Sequence, residues 1–208
     1  MSLPTFRQAY AFLGPLKGKS STFLVRGRTA NAVVSRFILG CLSAAKLNIA
    51  VLDTSTFLGT NMPELTDGLP KEFLQKGVIE YLADESDEEL SLAGIIATEA
   101  SVIWIDDMNA VLHLLSSGGQ RSGIHRLSTF YHTLSYNART NNTIVLGTVY
   151  KPTFGTATAG IAKRSLPKLS DLQISAELRT GEVVFRCHEM AGWPAEGFVA
   201  PLYLEERT

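Results

Sequence analysis

The sequence predicts an α/β domain with a doubly wound, mainly parallel sheet and a C-terminal antiparallel hairpin, on three observations. Short β-branched apolar runs alternate with stretches whose apolar residues recur at helical spacing, from residue 22 to residue 148. The first strand, helix and strand fall within about 32 residues, the length of a βαβ unit, whose strands must pair in parallel. After residue 170 the pattern changes to strict alternation about a turn, which is that of a hairpin.

Taken in order, residues 4–13 predict a short amphipathic helix, followed by Gly14-Pro15 and a basic turn holding Lys17 and Lys19. Residues 22–26 form the first expected strand, 27–31 a turn, and 32–46 a helix with Val33, Phe37, Ile38 and Leu42 at helical spacing. A second buried strand follows at 48–53. Residues 70–76 predict a short helix ended by Gly77, 78–83 a strand, 88–100 a helix and 102–105 a strand. The acidic segment 84–89 reads as a solvated loop and helix start, where carboxylates suit the helix dipole. Residues 108–115 are expected to be helical, 116–123 a glycine-rich break, and 124–140 a longer helix leading into a strand at 143–148. Residues 151–170 have little periodicity and read as a mobile loop. Residues 171–178 and 183–187 predict a hairpin at a sheet edge, and 198–204 a last strand.

The totals bound the function. With 208 residues, 45% of them hydrophobic and 19% charged, the chain suits a single domain over 1–208 with a sizeable core. It divides into an N-terminal helix and basic turn (1–21), an α/β core (22–150), the loop (151–170) and the closing strands (171–208). A net charge of −1 excludes a strongly basic DNA-coating protein, so any nucleic-acid contact needs a local basic patch. Cys41 and Cys187 sit far apart in apolar runs, as reduced core thiols do. With no leader pattern and no apolar run of membrane length, the expectation is a soluble intracellular protein, cytoplasmic or, in a eukaryote, nuclear, with no membrane partner. His113, His125, His132 and His188 lack the paired spacing of a zinc site, and no nucleophile elbow is visible. Trp104 and Trp193 read as core and turn packing.

Ligands of an open α/β sheet gather outside the carboxyl ends of its strands, where Gly27, Asp53, Asp106 and Thr148 are expected to fall. The order of strand, turn and helix, an apolar strand ending in Asp53-Thr54, and Val-Ile-Trp-Ile-Asp-Asp at 102–107 resembles the core domain of the RecA/RadA recombinase family. Further similar text lies at 51–57, at 126–149 and in Gly-Trp-Pro-Ala-Glu-Gly-Phe at 192–198. The resemblance spans roughly residues 22–204 and implies a RecA-like fold, a Walker B strand at 102–106 and a polar phosphate sensor at the end of strand 143–148.

The phosphate chemistry departs from that family. Gly27 aligns with the first glycine of a Walker A loop, but Ala32, Val33 and Val34 stand where the second glycine, the lysine and the magnesium-binding hydroxyl belong. Loss of the lysine removes a charge-assisted contact of about 1.5–3 kcal/mol. Ser55 matches the catalytic glutamate, and Thr148 and Val149 match the sensor pair. Asp106, with Asp107 beside it, reads either as the cap of the following helix or as a residual metal contact. Gly-Pro-Leu-Lys-Gly-Lys-Ser at 14–20 looks like a phosphate loop but precedes the first strand, and reads as a basic turn.

The resemblance therefore implies a degenerate nucleotide site of Gly27, Ala32, Val33, Val34, Asp53, Asp106 and Asp107, with ATP and Mg²⁺ binding absent or weak and no catalytic residue. It also implies that two loops, at 116–125 and 151–164, contact nucleic acid through Arg121, His125, Arg126, Lys151, Phe154, Lys163 and Arg164. The expected function is that of a non-catalytic paralogue that partners a RecA/RadA-type recombinase or another RecA-fold paralogue, as a homo- or hetero-oligomer, in recombination and repair. Single-stranded DNA is the expected nucleic acid, with RNA as the alternative. Two other readings stand beside it: a structural subunit of a hetero-oligomeric ring similar to the Elongator accessory subcomplex, and an ATPase with an unusual phosphate site built on Lys17 or Lys19.

Overall fold

The structure is a computed structural model that describes residues 3–26, 28–54, 57–74, 78–81, 94–95, 99–116, 119–151, 169–179, 182–187 and 197–201. Helix α1 (Phe6–Leu13) opens on a capping box in which the Gln8 amide donates to Thr5 Oγ1 at 3.3 Å and the Thr5 amide to Gln8 Oε1 at 2.9 Å. A 3₁₀ turn, Gly14–Leu16, leads to β1 (Ser20–Arg26). Helix α2 (Arg28–Ala44) then runs back to β2 (Ile49–Asp53). It starts four residues before the expected position: nothing in Arg28-Thr29-Ala30-Asn31 breaks a helix, and burial of Ala30 and Asn31 favours the extra turn.

Helix α3 (Phe57–Leu65) was not expected from sequence, because Gly59 and Pro63 weaken its helical signal. Tertiary contacts override that propensity. Leu58 and Leu65 are buried, and the Arg36 guanidinium donates to the carbonyls of Glu64 at 2.5 Å and Asp67 at 2.9 Å, covering the helix's C-terminal end. Short α4 (Lys71–Leu74) precedes β3 (Val78–Tyr81). The acidic segment lies outside the described residues, as does most of the helix expected over 88–100. Within the latter range residues 94–95 are helical and 99–100 are not.

Strand β4 (Val102–Asp106) and helix α5 (Met108–Leu114) match expectation. Helix α6 (Gln120–Asn141) begins inside the stretch read as a glycine-rich break. Gly123 is the reason: a Cβ there would collide with Ser116 Oγ and Cα, so this glycine serves close packing inside a helix. Asn142 ends the helix in a left-handed conformation at φ 56°, its amide on the Ala138 carbonyl. Strand β5 (Ile144–Lys151) continues past the expected end at 148, and β6 (Leu172–Arg179), β7 (Glu182–Arg186) and β8 (Phe198–Pro201) complete the chain's described elements. The hairpin of β6 and β7 is not at the sheet edge as expected, because β8 pairs beyond it.

Among the described residues the strands form an eight-stranded sheet in the order β3-β2-β4-β5-β1-β6-β7-β8. β3, β2, β4, β5, β1 and β6 are mutually parallel, and β7 and β8 run antiparallel to their neighbours. The connection from β1 to β2 travels one way along the sheet and that from β4 to β5 the other. Right-handed crossovers of opposite direction put their helices on opposite faces. Period-two alternation then divides the core. Phe23, Val51, Trp104 and Leu146 face a cluster with α1, α2 and α3, whereas Leu52, Ile103, Ile105 and Val145 face one with α5 and α6. Cys41 and Cys187 are free and buried, and burial raises the Cys41 thiol pKa well above its usual value. Among the described residues no helix is long and apolar enough to cross a membrane.

Candidate functional site

Parallel pairing brings the carboxyl ends of β1, β2, β4 and β5 to one edge. The register sets Asp53 beside Asp106, Ile105 beside Gly147, and Phe23 beside Thr148. The chain leaves β1 and β4 toward opposite faces here, so this edge is where a ligand crevice would open.

The acidic groups at this edge are engaged by the chain itself. Asp53, buried, accepts from the Gly59 amide at 2.7 Å through Oδ2 and so caps the first turn of α3. Asp106 is 0% exposed, and its Oδ1 accepts from the hydroxyls of both Thr148 and Tyr150. The capping role considered for Asp106 belongs to Asp107, whose Oδ1 accepts from the Asn109 amide at 2.9 Å. The physical reason is reach: Asp106 is still in the strand and points into the sheet edge, whereas Asp107 is the N-cap residue of α5.

Thr54 ties the two acidic strands together. Its amide donates to the Asp106 carbonyl at 2.6 Å, and its hydroxyl lies 3.0 Å from the carbonyls of Asp106 and Asp107 and from the Asp107 amide. The Asp106–Asp107 peptide is cis. Tyr150 closes the other side, its ring 6.5 Å from that of Phe57 at the start of α3. Asn109 Nδ2 donates to the Tyr150 carbonyl at 3.2 Å.

Electrostatics follow from this packing. Burial pushes the Asp107 carboxyl up to about 7, with the charge of Asp106 adding to the rise and the Asn109 amide opposing it. Burial, and then the neighbouring Asp106 charge, hold the Tyr150 phenol well above its ordinary value, so it stays a donor. Among the described residues no group of three or more His, Cys, Asp or Glu is disposed to hold a metal.

The remaining expected site residues divide by place. Gly27 and Ser55 lie outside the described residues. Ala32 and Val33 are half-buried on the second turn of α2, and Val34 is 1% exposed within the core. Arg121, expected in a loop, and His125 and Arg126, expected where that loop meets the helix over 124–140, all sit on the first turns of α6, with Arg121 and His125 exposed. The correction follows from Gly123, which packs inside that helix instead of opening a loop. Lys151 ends β5, so it too belongs to a strand, while Phe154, Lys163 and Arg164 lie outside the described residues. Lys17 and Lys19 flank the amino end of β1, a strand of seven residues. They therefore stand roughly 20 Å from the carboxyl edge.

Sequence reasoning missed Thr54, Gly59, Asn109 and Tyr150 as parts of this edge. Tyr150 was open to discovery, since it follows Thr148 by two residues and shares its face of the strand. The others carry no local signal. Comparison with protein-family models and with curated proteins finds no match.

Proposed function

We propose that this chain is a non-catalytic RecA-type domain, a pseudo-ATPase paralogue that partners or regulates a recombinase in DNA recombination and repair, with weak contact to single-stranded DNA. One observation carries the reading: the edge where a nucleotide and its metal would be handled is filled by the protein's own hydrogen bonds. Asp53 and Asp107 cap helices, and Asp106 is taken up by Thr148 and Tyr150.

The residues present do not fit a magnesium nucleotide. Val33 offers no charge and Val34 no hydroxyl, and Val34 is committed to the core. Supplying a phosphate-binding lysine from the N-terminal turn meets a distance of roughly 20 Å, which a side chain cannot span. A fold kept without its reaction survives as an interface, which favours a partner role. The sheet order, with β5 between β1 and the acidic strand β4, supports the RecA-type assignment.

Titration calorimetry with ATP and Mg²⁺, together with a turnover assay, tests the closed site; saturable micromolar binding or turnover refutes it. A native pull-down with peptide identification tests the partner. Recovery of a RecA-fold recombinase or paralogue is the expected result, and recovery of Elongator components alone replaces this reading with the ring-subunit one.

A further inference from the structure

The outward face of α6 carries a stripe of cationic and hydrogen-bonding side chains. At 3.6 residues per turn, Arg121, His125, His132, Tyr136 and Arg139 fall on one line, and all five are exposed. The opposite face, with Leu127, Phe130, Tyr131, Leu134 and Ala138, is buried in the second core cluster. The chain has 20 Asp and Glu among 208 residues, yet none falls within the 22 residues of this helix. A solvated helix face ordinarily mixes both signs, so a helix without carboxylates carries a positive bias at its surface.

The basic turn that resembled a phosphate loop extends this stripe. Gly18, at φ 69°, donates its amide to the Thr143 carbonyl at 3.1 Å, and a Cβ at that position would lie 3.5 Å from Asn142 Oδ1. Lys17 and Lys19 are thereby brought to the C-terminal end of α6. Asp171, a carboxylate that faces this end, is taken up by Arg139 and by the Ser20 amide and hydroxyl.

We propose that the stripe is a binding surface for the phosphate backbone of a single-stranded nucleic acid. Guanidinium and imidazole donors complement phosphate oxygens, and Arg121 to Tyr136 spans about 22 Å of helix, enough for several consecutive phosphates, while Arg139 at the far end is paired with Asp171. Tyr136, 68% exposed, presents a ring on which an unpaired base can stack. A lipid surface is a poorer fit, because an interfacial helix inserts its apolar face and here that face is spent on the core. The inference rests on the nucleic-acid part of the reading above and moves the principal contact from the loops to a helix.

The test is fluorescence anisotropy of the full chain with labelled oligothymidylate, oligouridylate and duplex DNA about 20 nucleotides long, at about 50 and 200 mM salt. Wild type should bind the single strands more tightly than the duplex and lose affinity with salt. Arg121→Glu with His132→Glu, both on the solvent side of α6, should weaken binding at least about tenfold and flatten the salt dependence, with circular dichroism unchanged. Tyr136→Ala should weaken single-strand binding alone, and Lys151→Ala with Lys163→Ala and Arg164→Ala should leave affinity within about twofold. Wild-type affinity in the helix variant, with loss in the loop variant, overturns the surface while sparing nucleic-acid binding. Preference for duplex, binding to phosphatidylserine vesicles in place of oligonucleotides, or no oligonucleotide binding at low salt overturns the proposal outright. The ATP and pull-down experiments read the closed site and the partner independently of these outcomes.

Discussion

Replacing Tyr150 with phenylalanine tests whether the carboxyl edge is held shut by its own hydrogen bonds. The substitution removes one of two hydroxyls that donate to Asp106 Oδ1 and leaves the ring against Phe57. Asp106 is 0% exposed, so water does not replace the lost donor. A hydrogen bond to a charged group contributes about 1.5–3 kcal/mol. In a chain of this size each kcal/mol moves the midpoint by about 2–4 °C, so Tyr150→Phe should lower Tm by about 3–12 °C. Calorimetry with a urea titration reads this, and a cycle with Asp106→Asn isolates the pair, for which a coupling of about 1 kcal/mol or more is expected. A Tm within about 1 °C of wild type, or strict additivity in the cycle, would refute the assignment.

Three further outcomes are expected. Asp107 holds its proton up to about pH 7 in the fold against an ordinary 3.8, so its contribution to stability is full below about pH 4 and is lost as pH rises through about 7. Asp107→Asn, which keeps an acceptor for the Asn109 amide, should therefore show a smaller fall in Tm between about pH 4 and 8 than wild type, and a steeper one would sink the assignment. Gly147→Ala places a Cβ against Met108 Sδ and the Tyr131 hydroxyl, which itself donates to the Ser21 carbonyl at 3.2 Å; overpacking of about 1–3 kcal/mol should appear as a lower urea midpoint. Thr5→Ala removes one half of the capping box of α1 and should cost about 0.5–2 kcal/mol, read most directly as faster amide exchange in residues 6–9.

Much of the fold was legible because its elements obey local rules. Apolar strands at 49–53 and 102–106 and the switch to alternation after residue 170 need no knowledge of their partners. The errors have specific causes. α3 contains Gly59 and Pro63, which argue against a helix until the contacts of Leu58, Leu65 and Arg36 are counted. Gly123 reads as a loop glycine because a close approach between α6 and Ser116 leaves no trace in the local sequence. At the strand ends, Asp53, Asp106 and Thr148 were readable as neighbours because parallel strands bring their carboxyl ends to one edge. The other residues that close the edge were not.

By itself the sequence determined that strands and helices alternate, that the core is large, and that the first turn from strand to helix carries no phosphate-binding lysine. These are statements about residue type and short-range period. Only the tertiary structure decided that Thr54, Thr148 and Tyr150 take up the acidic edge, and that Arg121, His125, His132, Tyr136 and Arg139 share one solvent face. Each depends on groups far apart in the chain, or on where a helix begins, and hydrogen-bond partners and helix phase are set by packing that no local window contains.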